Sequence, residues 1–233
     1  MRNGGPGGAV GAFSQGIGGT ASASGVGRSW GYVPGMSARV DLVALHAGEY
    51  AAVRAPRVVP TAPARYLSLD GEGDVQGDGF LEQARALSLL LRDLRARGRR
   101  ETGKDFRLPP LEALLGAPRA SRVEIDTGRP LPWKLLLRVP AFVRASDLAA
   151  LGAGEAGGPR AARIEELREG RCIQALHVGP IANVPGTVDR LRRAAADLDL
   201  LVRGRLHATW LSGPGRTPPE KRRMLVRLPV KPR

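Results

Sequence analysis

One pattern occurs twice in this chain and limits the folds open to it. Residues 171 to 178 (Arg171-Cys172-Ile173-Gln174-Ala175-Leu176-His177-Val178) read as a strand, followed by Gly179-Pro180 and a helix. Strands follow around Leu206 to Ser212 and Met224 to Val230. Residues 65 to 140 read the same way: a strand at Tyr66 to Leu69, a glycine turn, a helix, a strand near Val123 and a strand at Trp133 to Val139. The final strands rhyme, Leu137-Arg138-Val139-Pro140 against Val226-Arg227-Leu228-Pro229. The pattern predicts an α+β fold of two tandem β-α-β-β units, about 65–140 and about 160–231, with a cleft between them.

The helices carry the expected apolar stripes. In the first, over about Gly79 to Arg97, Phe80, Ala84, Leu87, Leu91 and Leu94 recur at spacings of four and three, while Arg85, Arg92 and Arg95 fall off the stripe. The second, over about Gly186 to Leu198, repeats the device with Val188, Leu191, Ala195 and Leu198. Each stripe needs a sheet to cover. On the later strands Trp133, Leu135 and Leu137 share one face, and Leu206, Ala208 and Trp210 share another, opposite His207 and Thr209. Trp133 and Trp210 can therefore either line the space between the units or pack plainly into a core.

The flanks read differently. Residues 1 to 39 hold twelve glycines and no acidic residue. They bury too little apolar surface to offset their ordering entropy and read as a disordered tail before a domain over 40–233. There is no apolar run of signal-peptide kind, and Met36, just ahead of Val40 to Val53, is the expected true start. The Ala-Gly segment Ala149 to Pro159 reads as the linker between units.

The formal charge is +14, and lysine appears only at 104, 134, 221 and 231 among 36 basic residues. Such a field favours polyanions. Arginine, however, comes with Ala, Gly and Pro throughout, as a GC-rich genome would produce, which argues against nucleic acid as the main partner and leaves an arginine-driven polyanion module as an alternative. No segment is long and apolar enough to span a bilayer, so no membrane partner is expected. Cys172 is the only cysteine, set in an apolar strand where a buried inert thiol is the default. A cytoplasmic location fits these features.

Few motifs carry chemistry. Gly71-Glu72-Gly73-Asp74 through Gly77 has a phosphate loop's position, but the spacing is wrong and its acids would repel phosphate. It reads as a turn, with Asp78 as helix cap. His46, His177 and His207 lack Cys or carboxylate at ligand spacing, so neither metal nor cofactor is expected. His177 before Gly-Pro reads as a structural hydrogen bond. Glu112 stands in the apolar run Leu108-Pro109-Pro110-Leu111-Glu112-Ala113-Leu114-Leu115. It is either exposed at a loop edge or buried, and if buried it must be paired, neutralised or used on a ligand.

Together the segments resemble the GyrI-like small-molecule-binding proteins, in particular the stand-alone bacterial subfamily that includes cyclopropanoid hydrolases. The matching pieces are Tyr66 to Gly73, the Leu-Pro-Pro-Leu-Glu run ending at Glu112, Trp133 through Arg138 to Pro140 with Phe142-Val143, and Gly170 to Pro180 with Pro185 and Thr187. Leu211-Ser212 through Arg216-Thr217-Pro218-Pro219-Glu220-Lys221 to Pro229-Val230 completes the set. The resemblance implies pseudo-twofold symmetry, antiparallel sheets with helices on one face, and an inter-unit pocket for apolar, planar or cationic compounds. Some such proteins sequester drugs and others hydrolyse strained cyclopropane rings.

The sequence departs from that pattern at the pocket. Leu115-Gly116 replaces a Trp-Trp pair, Ile181 a Tyr, Val184 an acid and Ala208 the central Glu, while Trp133, Trp210 and Glu112 remain. Loss of the central carboxylate removes the counter-charge for a cation. The expectation is a larger, more apolar pocket built on Trp133, Trp210, Glu112, Leu115, Ile181 and Ala208. It would bind a bulky hydrophobic natural product or xenobiotic for resistance or sequestration. The alternative is a hydrolase of strained electrophiles, with Glu112 the best catalytic candidate.

Overall fold

The computed structural model describes residues 39–116, 130–151, 162–213 and 217–233. An arm opens the chain: α1 (Leu42–Leu45), α2 (Ala47–Tyr50) and β1 (Arg57–Pro60). Asp41 caps α1 by accepting from the Val43 and Ala44 N–H groups at 3.0 and 3.1 Å. The first repeat follows as β2 (Ala64–Gly73), α3 (Asp78–Thr102), β3 (Glu112–Leu115) and β4 (Leu131–Val139). Next come α4 (Ala145–Ala149) and β5 (Arg163–Leu167). The second repeat is β6 (Arg171–Val178), α5 (Val184–Asp197), the short β7 (Leu200–Val202), β8 (Leu206–Trp210) and β9 (Arg223–Pro232).

The two repeats share one sheet. Its order is β1-β6-β9-β8-β3-β4-β2-β5, all antiparallel, with β7 pairing the end of β9. Within each repeat the first strand lies outermost, the last lies in the middle, and the remaining strand reaches the centre. The repeats thus meet β3 against β8 in a pseudo-twofold arrangement. The α+β architecture read from the sequence is the one found. The expected strand near Val123 lies outside the described residues, and the strand that pairs at the seam is Glu112–Leu115. Proline-flanked and only four residues long, it carries too little alternation to announce itself.

Both long helices cover the same sheet face. Phe80, Ala84, Leu87, Leu91 and Leu94 of α3 are buried, as are Val188, Leu191 and Ala195 of α5. Each large apolar side chain so buried contributes roughly 1.5–3 kcal/mol before entropy is counted. The N-cap of α3 is Gly77, without a side-chain bond, rather than Asp78. The helix ends in left-handed Gly103 (φ 70°), whose N–H reaches the Arg99 carbonyl at 3.2 Å. The tail 1–38, Met36 and most of the expected linker, 152–159, lie outside the described residues. Among the described residues no helix is long and apolar enough to cross a membrane.

Candidate functional site: two faces of one seam

Register across the seam sorts the side chains. Ala113, Ala208, Val226 and Ala175 lie in one row over four neighbouring strands, all facing the helices. A row of small side chains leaves room above it. Three aromatics take up that room. Phe80, delivered by the first turn of α3, sits 5.3 Å from the Trp133 ring at 86° and 5.7 Å from the Trp210 ring at 46°. Trp133 lies over its cross-strand partner Gly71, where a Cβ would come within 2.1 Å of the indole. Only glycine admits the ring there.

What stays open is a cleft of about 70 Å³. Val75, Gln76 and Leu81 of the first repeat face Ile181, Trp210 and Met224 of the second across it, with Arg222 and Arg223 also on its wall. Among the described residues this cleft is smaller than a drug-sized site, which measures several hundred Å³. Phe80 packs against both tryptophan rings. Ile181 and Trp210 line the cleft, whereas Trp133, Leu115 and Ala208 are buried around it.

Glu112 is elsewhere. Strand alternation turns it to the opposite face, under the arm, where it is fully buried. It cannot act in a cleft that contains Trp210. Its Oε1 accepts from the Tyr50 hydroxyl at 2.7 Å, and its Oε2 from His207 Nε2 at 2.7 Å and the Tyr66 hydroxyl at 3.4 Å. His207 Nδ1 donates to Glu169 Oε2 at 2.9 Å, and Arg227 Nη2 reaches the same oxygen at 2.9 Å. Both imidazole nitrogens thus face carboxylates, which favours a protonated ring although Arg227 Nη2 also lies 3.0 Å from Nδ1.

Two carboxylates, an imidazolium and a guanidinium make a neutral tetrad. Burial works against charge on each member, and the neighbours overrule it. Burial raises Glu112 and Glu169, yet His207 and Arg227 bring Glu112 below its usual range and Glu169 down to about 2. Burial and Arg227 lower His207, yet the two carboxylates carry it above 6.5. Burial, with Glu112 beside them, pushes Tyr50 and Tyr66 well above 10, so both remain donors. Every member is at or below 6% exposure and the imidazole is committed on both sides, while Glu169 Oε1 and Arg227 Nε have no hydrogen-bond partner among the described residues. The contacts of the tetrad and Tyr50 join the arm to the sheet.

The rhyme between the repeats acquires a physical meaning here. Arg138 and Arg227, its matching arginines, are both buried on the arm face. Each meets a glutamate from the segment preceding its own repeat: Glu49 at 2.9 Å for Arg138 and Glu169 at 2.9 Å for Arg227. Sequence reading missed Tyr50, Tyr66, His207 and Arg227 as partners of Glu112, and Glu169 as the second carboxylate on His207. The signal available was the repeated arginine, together with alternation that set His207 opposite Trp210. His177 bonds Thr187 Oγ1 at 2.9 Å and the Pro180 carbonyl at 3.0 Å, a structural role as expected. Burial raises the Cys172 thiol to about 12, which leaves it inert at neutral pH.

No family model matches the sequence, and no curated protein matches it. Solved structures share the fold. An uncharacterized conserved protein from Listeria innocua superposes with TM-score 0.73 at 23% identity, over 83% of this chain and 100% of that one. A hydrolase from Listeria innocua gives TM-score 0.70 at 24% identity, over 83% and 100%. The C-terminal domain of EcmrR gives TM-score 0.50 at 9% identity, over 76% and 98%.

Proposed function

We propose that this chain is a small-molecule-binding protein of the GyrI-like kind that takes a hydrophobic ligand into the helix-side cleft at the repeat seam. One observation carries the reading: a row of small side chains crosses the seam on the face that bears an aromatic cluster, and beside Trp210 and Ile181 lies a cleft walled by both repeats. The fold shared with the Listeria structures supports it. Entry of a bulky ligand requires Phe80 to swing out from between the tryptophans, which first-turn residues of a helix can do at modest cost. Among the described residues no carboxylate lines the cleft and two arginines do, so the ligand is neutral or anionic rather than cationic. Sequestration, as in resistance to a natural product or xenobiotic, follows from binding without chemistry.

Hydrolysis of a strained electrophile is the second reading, favoured by the fold shared with the Listeria hydrolase. It is weaker because Glu112 serves the opposite face and no other general base lines the cleft among the described residues. Titration with a panel of neutral and anionic polycyclic compounds, followed by tryptophan emission, tests both. The expected result is saturable quenching, weakened at least 10-fold in Trp210→Ala and strengthened in Phe80→Ala, which vacates the seam. Quenching indifferent to both substitutions would sink the cleft. Mass spectrometry showing gain of one water on the bound compound would replace binding by hydrolysis.

A further inference from the structure

The arginines of one sequence run fall on a single stretch of α3. The N-terminal half of α3 bears Asp78, Glu82 and Arg85, whereas residues 92–100 bear Arg92, Arg95, Arg97, Arg99 and Arg100 against one acid, Asp93. Helical spacing brings Arg92, Arg95, Arg99 and Arg100 around Ala96, whose small side chain floors an open depression of about 410 Å³. Arg95 is anchored to Asp105 at 2.6 and 3.0 Å. Arg92, Arg99 and Arg100 are exposed and have no ion-pair partner among the described residues. An adjoining hollow that shares Arg95 carries Arg97, Lys104 and Arg144 against Glu101 and Asp147. The helix dipole accounts for Arg99 and Arg100 in the last turn, but not for Arg92 two turns earlier.

We infer that this face of α3 binds the phosphate backbone of duplex nucleic acid without regard to sequence. The chemistry selects that partner. Guanidinium groups grip phosphate oxygens in pairs, which the arginine-for-lysine bias of the chain favours. The depression itself has no apolar side chain larger than Ala96, and the single exposed Leu89 two turns earlier on this face is too little to anchor in a membrane. An exposed helix also matches the width of a major groove. This surface is separate from the Trp210 cleft, and its failure would leave the cleft reading untouched.

The test measures fluorescence anisotropy of a labelled duplex of about 20 base pairs against the full chain, over a series of salt concentrations. The comparison is between R92E/R99E/R100E and a control of equal charge, R54E/R168E/R171E, which reverses exposed arginines elsewhere. The α3 variant is expected to lose at least 10-fold in affinity and to flatten the log–log salt slope by roughly 2–3, while the control loses at most about 3-fold. Circular dichroism confirms that both variants are folded. Equal losses in the two variants, no saturable binding by the native chain, or equally tight binding to phosphatidylserine vesicles with the same dependence on α3 would each overturn the inference.

Discussion

The two faces of the central sheet are built from alternate residues of the same strands yet are held together by different physics. Ala113, Ala208 and Val226 face the helices, and their neighbours Glu112, His207 and Arg227 face the arm. On the helix side the seam is closed by contact and shape, Phe80 wedged between two indoles and Gly71 yielding to one of them. On the arm side it is closed by charge, a neutral tetrad capped by two tyrosines. The contrast locates where adaptation is cheap. An aromatic can be displaced by a ligand of similar character, whereas a member of a buried tetrad cannot leave without stranding its partners.

The sharpest way to break this comparison is Glu112→Leu. It strands His207 and Arg227 in a dry interior and should lower the unfolding free energy by about 3–5 kcal/mol in urea titration. Replacing the whole tetrad with Glu112→Leu, His207→Leu, Glu169→Leu and Arg227→Met should cost less than that single change, because no charge is left unpaired. If the losses instead add, the tetrad is not one unit. On the other face Gly71→Ala forces a Cβ into the Trp133 ring and should cost about 1–3 kcal/mol, by displacement of packing rather than of charge.

Acidity separates the faces further. His207 is raised in the fold, so its contribution is complete below 6.5 and fades as pH rises through the elevated value. Glu112 and Glu169 are lowered, so theirs is complete above 4.5 and fades as pH falls, for Glu169 through about 2. The tetrad therefore stabilises fully between 4.5 and 6.5 and weakens on both sides. Calorimetric melting should show the native chain losing stability from mildly acid to alkaline pH, with that slope reduced in the all-apolar tetrad, while the Gly71→Ala deficit stays level with pH. A native Tm that climbs steadily from pH 6 to about 9 would contradict a protonated His207. The smallest effect belongs to Gln174, buried beside Arg227 with neither amide atom bonded. Gln174→Met should lie within about 1 kcal/mol of the native chain or stabilise it, since no hydrogen bond is lost.

The sequence made some of this legible for definite reasons. Long periodic elements declared themselves: β6 spans the residues read from the pattern, and α3 carries the stripe from Phe80 to Leu94. The repeat announced two units, but not that they fuse through β3 and β8 into one sheet, because edge pairing leaves no local mark. Glu112 was visible as an anomaly in an apolar run. Its facing away from Trp133 followed only from register, which a strand of four residues flanked by prolines does not disclose. The tetrad was invisible for a related reason: no spacing rule joins Tyr50, Glu112, Glu169 and Arg227.

That last fact bears on how the chain comes to be folded. The bonds that close the arm side join residues far apart in sequence: 62 from Tyr50 to Glu112, 89 from Glu49 to Arg138 and 95 from Glu112 to His207. Each closes a long loop at an entropic cost that local contacts do not meet. The helix stripes can form early, but the arm cannot settle until β8 and β9, far downstream of it, supply His207 and Arg227. High contact order of this kind makes for slow folding, with the arm seated in the final step. A ribosome-bound chain lacking its C-terminal strands would expose Glu112 and Tyr50 to water, so docking of the arm marks a completed fold.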